Sequence, residues 1–434
     1  VLFRSDRFVL SKGHASPIYY AAWAEAGNFP KEELLNLRKI TSDLEGHPTP
    51  RLSFCDFATG SLGQGLANTA GCAYSSKYFD KNPNKHFCII GDGESMEGSV
   101  WEAISFAGLY QLDNLIAIFD VNRLGQSDHT AFEHHTELFK QRLESFGFKA
   151  LIIDGHDINE VITAFAEARN TVNKPVAIIA KTFKGKGFTT KVEDKLNFHG
   201  KPISDLSIIE DIEKHIVNKT PIFKVTPPTN TFKFPHKAYD KKYELPLNYK
   251  INEIQSTRQA FGNALKKLGD LDGKDNNIVV GIDGDVKNST FSDGLFNAYP
   301  DKFINCFIAE QLMVGVGQGA CKTNKVPFLA TFSTFYTRAF DQIRMGAISQ
   351  DNVKYVGTHS GVHIGEDGPS QMGLEDIALF RTVPDMTVLV PSDGVSGEKA
   401  VEIAANHIGS VFIRTERNPH PVIYSNEEKF EIGK

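Results

Sequence analysis

Residues 86–122 constrain this chain more tightly than any other stretch. HFCII at 86–90 is a short apolar run, GDG at 91–93 breaks it, about Ser99 to Tyr110 has amphipathic helical spacing, and LIAIFDVN at 115–122 is a second apolar run. Strand, turn, helix and strand in that order form a βαβ unit, which forces a parallel sheet. Asp92 follows the first strand and Asn122 ends the second, so both face the carboxyl edge, where open α/β sheets bind ligands. A carboxylate, a side-chain amide and a backbone carbonyl such as that of Leu124 are hard oxygen ligands suited to Mg²⁺ or Ca²⁺. Positions would remain for phosphate oxygens and water. Taken alone, GDG is equally an ordinary strand-to-helix turn, with glycine relieving backbone strain and Asp capping the helix. This segment has neither the GK[ST] ending of a Walker loop nor G-x-G-x-x-G.

From about Asn277 the alternation resumes: strands NIVVGID, FINCFIAE, VPFLATF, VKYVGTH, MTVLVP and SVFIRT, with helices from Gln311, around Ala339 to Ile348, after Leu374 and after Glu398. A second α/β domain is expected. Between the two, Asn218 to Lys250 is rich in Pro, Lys and Thr without period 2 or 3.6, and reads as an extended linker. The expected division is 1–217, linker 218–250 and 251–434, and a chain of 434 residues is long enough for two cores. A formal charge of -6 offers no field for a nucleic-acid backbone, so nucleic acid is not an expected partner. Cys55, Cys72, Cys88, Cys306 and Cys321 are widely spaced, without a C-x-x-C pair, which argues against disulfides or a zinc knuckle and for a reducing compartment. With no run of about 18 apolar residues and no signal-peptide pattern at the start, the expectation is a cytoplasmic protein with no membrane partner.

The pairing of GDGESMEG (91–98) with FDVNRLGQ (119–126) resembles the signature of thiamine diphosphate enzymes. SKGHASP, DLEGHPTP, ATGSLGQG, AKTFKGKG, HGKP, DGDVKNSTFS, IAEQLMV, STFYTRAFDQIR, HSGVHIGEDGPSQM and FIRTER extend the likeness over nearly the whole chain. Together they resemble the transketolase family. Pyruvate-dehydrogenase-like and deoxyxylulose-phosphate-synthase-like enzymes share the diphosphate motif, whereas HGKP and GEDGPSQM look like transketolase. The resemblance implies two thiamine-diphosphate-binding domains, each a mostly parallel sheet flanked by helices: a diphosphate-binding domain first and a pyrimidine-binding domain second. It implies transfer of a two-carbon ketol unit from a ketose phosphate such as xylulose 5-phosphate to an aldose phosphate such as ribose 5-phosphate or erythrose 4-phosphate. It also implies a homodimer with the cofactor, and Mg²⁺ or Ca²⁺, at the subunit interface.

Roles carry over position by position. Asp92, Asn122 and Leu124 would ligate the metal, with Gly93 beside them; Gly60, Ser61 and Leu62 would meet the cofactor through the backbone; Lys181 would be the cation on its phosphate side, and Gln371 a further contact. Glu310 in IAEQ matches the carboxyl that shares a proton with the aminopyrimidine ring, and Phe335 with Tyr336 resemble the aromatic wall against that ring. Moving protons on sugar hydroxyls near neutral pH suits histidine. His14 and His199 would approach cofactor and sugar, His47 the reacting hydroxyls, and His359 the phosphate end. Arg258, Ser289 and Arg417 match the sugar-phosphate clamp, where a guanidinium fork can donate two hydrogen bonds, and Asp367 a substrate hydroxyl.

The resemblance also implies an earlier start and a third, smaller α/β domain, so the chain is expected to be a fragment, and its opening VLFRS does not match the family. Two other readings stay open: another ketol transferase such as dihydroxyacetone synthase, and an inactive transketolase-like binding subunit.

Overall fold

The computed structural model describes residues 6–215 and 242–433; the VLFRS opening and most of the expected linker lie outside the described residues. The chain divides into two compact units, residues 1–73 with 84–232, and 74–83 with 233–434. Residues 74–83 belong to the second unit because Lys325 pairs with Asp80 and Asn277 Nδ2 donates to the carbonyl of Phe79 at 3.1 Å.

The first unit is built on β1 (Arg7–Leu10), β2 (His86–Gly91), β3 (Leu115–Val121), β4 (Lys149–Asp154) and β5 (Val176–Lys181), ordered β1-β2-β3-β5-β4. All neighbours are parallel. Helix Gly98–Leu109 crosses from β2 to β3 with Val100, Ala103, Ile104 and Ala107 buried, as the amphipathic spacing requires. The registers set the site: Leu10 pairs with Ile89, Gly91 with Asp120, and Val121 with Lys181. The residues that follow β1, β2, β3 and β5 therefore all emerge along one carboxyl edge. On one face Ile116, Val176 and Ile178 pack against Ala164 and Ala168 of helix Ile158–Asn170; a separate cluster joins Leu10, Tyr19, Tyr20 and Leu44. Each such fully buried large side chain contributes about 1.5–3 kcal/mol.

The second unit holds β6 (Ile254–Ser256), β7 (Val279–Asp283), β8 (Phe303–Asn305), β9 (Val326–Phe332), β10 (Lys354–Thr358), β11 (Thr387–Leu389), β12 (Val411–Arg414) and β13 (Pro419–Pro421). Six of them form a parallel sheet in the order β11-β12-β10-β9-β7-β8, and β13 pairs antiparallel with β6. Helices Thr257–Asp272 and Gly394–Asn406 cover one face, packing Phe261, Leu265, Leu268 and Val401 on Val279, Phe328, Val356 and Val411.

Two expectations fail here. FINCFIAE does not run as strand to Glu310: β8 ends at Asn305, whose Oδ1 accepts from the Phe307 amide at 2.9 Å, and Phe307 takes a positive φ of 58°. That turn makes Glu310 the first residue of helix Glu310–Lys322. The last long helix starts at Gly394 rather than after Glu398, because Asp393 and Ser396 form a reciprocal capping box.

Candidate active site

In the first unit, Asp92 is buried directly after β2. Its Oδ2 accepts from the Arg123 amide at 2.7 Å and the Thr130 hydroxyl at 3.0 Å, and its Oδ1 from the Gly93 amide at 2.9 Å. Burial raises its pKa against these three neutral donors, an environment that a divalent cation would reverse. Asn122 Oδ1 accepts from the Leu124 amide at 3.0 Å, across a left-handed Arg123 with φ 61°. The Arg123 amide thus ties Asp92 to the Asn122–Leu124 turn, and a carboxylate, an amide oxygen and a carbonyl are the ligand types a hard divalent ion takes.

Beside them lies a cluster of cations and histidines. Lys12 pairs with Asp120, which also accepts from the Thr182 hydroxyl. Burial alone would raise Asp120, but Lys12 and these hydrogen bonds hold it below the usual range. Lys184 Nζ lies 2.8 Å from His199 Nδ1, and the His199 and His14 rings are 4.9 Å apart. Burial, then Lys12, His199, Lys184 and His47, pushes His14 down to about 4; burial, then Lys184 and Lys12, also lowers His199. His47, lowered by burial and Arg38, lies against Gly60, where a Cβ would come 2.5 Å from its ring and φ is 120°. Only glycine fits there. Glu94, which carried no sequence signal, is buried and accepts from Gly63 N (2.8 Å), Gly91 N (2.9 Å) and the Ser11 hydroxyl, tying the loop of Gly60, Ser61 and Leu62 to the GDG turn.

Lys181 departs from expectation. It ends β5 exposed, whereas Lys184, three residues on, reaches His199 and the field of Asp92 and Asp120. A side chain in the ladder points up or down from the sheet, whereas one beyond its end can turn over the edge. Lys12 and Asp120 were also missed; their position past a strand end, or in its last turn, was the available clue.

In the second unit, Glu310 is 5% exposed and both carboxylate oxygens accept from Arg338 Nη1, at 3.0 and 3.2 Å. The Arg338 guanidinium also lies 5.4 Å from the Phe335 ring centre. Phe335 stacks on Phe332 at 5.1 Å, and Phe332 on His359 at 3.7 Å, which builds an aromatic wall near Glu310. Tyr336 is not part of it. It is fully buried, donates to the Leu329 carbonyl at 2.7 Å and packs edge-on to Tyr355 and Phe380, as a core residue does.

Arg258 gathers the predicted clamp. Its Nη1 donates to the Ser289 carbonyl at 2.9 Å, its Nε to the Arg417 carbonyl at 3.2 Å, and Nη1 is 3.5 Å from His359 Nε2. Burial, with Arg258 and Arg417 near it, pushes His359 down to about 4, so it is neutral at pH 7. Arg417 donates to Asp367 at 2.8 Å and lies 3.4 Å from Glu366. Gln371 sits apart: among the described residues its amide meets only Ser370, at 3.4 Å.

Comparison with known proteins gives the class first. Residues 2–253 match the model of the transketolase thiamine diphosphate binding domain, and residues 253–421 that of the transketolase pyrimidine binding domain. The chain is 53% identical to rat (Rattus norvegicus) transketolase, over 99% of its own length and 68% of the relative's, and 54% identical to mouse (Mus musculus) transketolase-like protein 2 over the same shares. A solved transketolase from Campylobacter jejuni superposes with a TM-score of 0.84 at 27% identity, covering 98% of this chain and 72% of that one. The chain belongs to the transketolase family. It is a thiamine diphosphate-binding transferase that moves two-carbon ketol units.

Proposed function

We propose that the ketol unit passes between sugar phosphates, from a ketose phosphate such as xylulose 5-phosphate to an aldose phosphate such as ribose 5-phosphate or erythrose 4-phosphate, as in the pentose phosphate pathway. The observation that carries this reading is the convergence of Arg258, His359 and the Arg417 backbone beside Ser289, with the Arg417 side chain held by Asp367. A partly buried guanidinium next to a neutral histidine is a binding place for a phosphate dianion. Asp367 and Glu366 hold Arg417 until such an anion competes for it.

Thiamine diphosphate, when bound, supplies a nucleophilic C2 and a ring that stores the electrons of the broken C–C bond. The chain's residues do the rest. Asp92, Asn122 and the Leu124 carbonyl would hold Mg²⁺ or Ca²⁺ for the diphosphate, with Lys184, rather than Lys181, as the nearby cation. Glu310 would share a proton with the pyrimidine nitrogen, giving up Arg338 for it, and Phe335 would supply the aromatic wall. His14, His47 and His199, all biased toward the neutral form, accept and return hydroxyl protons. The five cysteines form no disulfide with one another and four of them are buried, which fits a cytoplasmic location.

Arg258→Ala tests the phosphate assignment. Losing a charge-assisted hydrogen bond raises KM for xylulose 5-phosphate about 10- to 100-fold with a much smaller change in kcat, while a ketol donor lacking phosphate is little affected. Equal losses with both donors would refute the clamp.

We further propose a homodimer in which one cofactor engages the first unit of one chain and the second unit of its partner. Mixing dead Asp92→Ala and Glu310→Ala chains under exchange then restores activity. Half the dimers are mixed and each has one intact site, so about one quarter of the original activity returns. If both units of a site came from one chain, nothing would return.

A further inference from the structure

Next to Arg417 but using none of the residues assigned above, two histidines and a glutamate from the second unit converge on one point. His363 lies in the loop after β10, Glu416 follows β12, and His420 is the middle residue of β13. One oxygen, Glu416 Oε2, lies 3.1 Å from His363 Nε2 and 2.8 Å from His420 Nε2, and the three ligand atoms are all within 4.8 Å of one another. The two imidazole planes meet at 89° with centres 6.0 Å apart, so the rings approach from different directions instead of stacking.

We propose that His363, Glu416 and His420 form a binding site for a divalent transition metal of the zinc class. Two imidazole nitrogens and a carboxylate oxygen are the ligand types such ions select, whereas Mg²⁺ and Ca²⁺ prefer oxygen alone. With ligand bonds of about 2.0–2.1 Å, tetrahedral neighbours stand about 3.4 Å apart. The nitrogen–oxygen distances of 2.8 and 3.1 Å are about 0.6 and 0.3 Å short of that spacing, so the ion would push the carboxylate and the rings outward by that much.

The frame is already fixed. His420 is held in the β6–β13 ladder opposite Gln255, the Glu416 amide donates to the Thr257 hydroxyl at 2.8 Å, and the His363 carbonyl accepts from Asn418 at 2.8 Å. Arg414 lies 3.9 Å from the other Glu416 oxygen, Oε1, and is itself anchored on Asp376, which leaves Oε2 facing the two rings. Side-chain exposures of 36%, 24% and 37% give the ion an entry path and leave the fourth coordination position to water. The sequence hid this set because its members come from separate segments without the spacing of a metal motif.

The test uses the full chain, stripped by chelator, supplied with excess Mg²⁺ to occupy the all-oxygen site, and titrated with Co²⁺. A four-coordinate site with two nitrogens absorbs strongly in the visible range, and octahedral oxygen sites do so weakly. One Co²⁺ per chain, displaced by Zn²⁺, is expected. His363→Ala and His420→Ala should each weaken it at least about 100-fold, the upper end of what losing even a ligand's supporting partner costs. Both side chains are more than a third exposed, so each variant should keep the thermal midpoint of the parent without metal. No visible band, or a band surviving both substitutions unchanged, would overturn the site. Because the cofactor residues are different ones, either result leaves the ketol-transfer reading intact.

Discussion

Glu310→Ala slows hydrogen exchange at C2 of bound thiamine diphosphate by about 10² to 10⁴-fold while the cofactor still binds. The reason is positional. The carboxyl is buried at the first turn of its helix against Arg338, whose guanidinium lies 5.4 Å from the Phe335 ring centre, and burial would shield a proton shared there from water. Both of its oxygens already accept from one nitrogen, Arg338 Nη1, and the 60% exposed Arg338 side chain can leave when the ring arrives. Exchange is followed by NMR of acid-quenched cofactor, and affinity by titration. Glu310→Gln separates the two functions: it retains a hydrogen bond, so affinity is kept, but it cannot hold the proton, so exchange stays slow. Unchanged exchange in the alanine variant would remove Glu310 from the chemistry.

Asp92→Asn lowers affinity for thiamine diphosphate in the presence of Mg²⁺ by about 100-fold or more. Asparagine is the informative change. Alanine would strand the Arg123 amide, the Gly93 amide and the Thr130 hydroxyl, each unpaired donor costing about 1–3 kcal/mol, so lost binding would be confused with lost stability. Asparagine keeps one acceptor oxygen, enough for the Arg123 amide and the Thr130 hydroxyl that share Oδ2, so it strands only the Gly93 amide while removing the charge that would face the metal. Chelating Mg²⁺ from the unchanged chain should weaken the cofactor to a similar degree, and adding Mg²⁺ back should rescue it but not the variant. Undiminished affinity in Asp92→Asn would mean that the diphosphate is anchored elsewhere.

Much of the fold was legible because parallel sheets leave local signals: continuous apolar runs for buried strands and 3.6-residue spacing for the helices between them. β9 is read to the residue from VPFLATF, and β2 and β3 to within one. The runs misled where a side chain intervened, as when Asn305 closes the turn that ends β8 and Asp393 with Ser396 starts a helix a turn early.

The site divides in the same way. The sequence by itself determined which strand ends carry Asp92 and Asn122, since position after an apolar run is local information, whereas Glu310, expected at a strand end, opens a helix instead. Tertiary structure alone decided which side chain reaches which neighbour. It brought Lys184 rather than Lys181 to His199, sent Tyr336 into the core, brought Arg338 onto Glu310, and gathered His363, Glu416 and His420 onto one oxygen. Those contacts depend on how loops turn beyond the strand ends, where no periodicity constrains them and the outcome is set by burial, charge and hydrogen bonding between residues far apart in the chain.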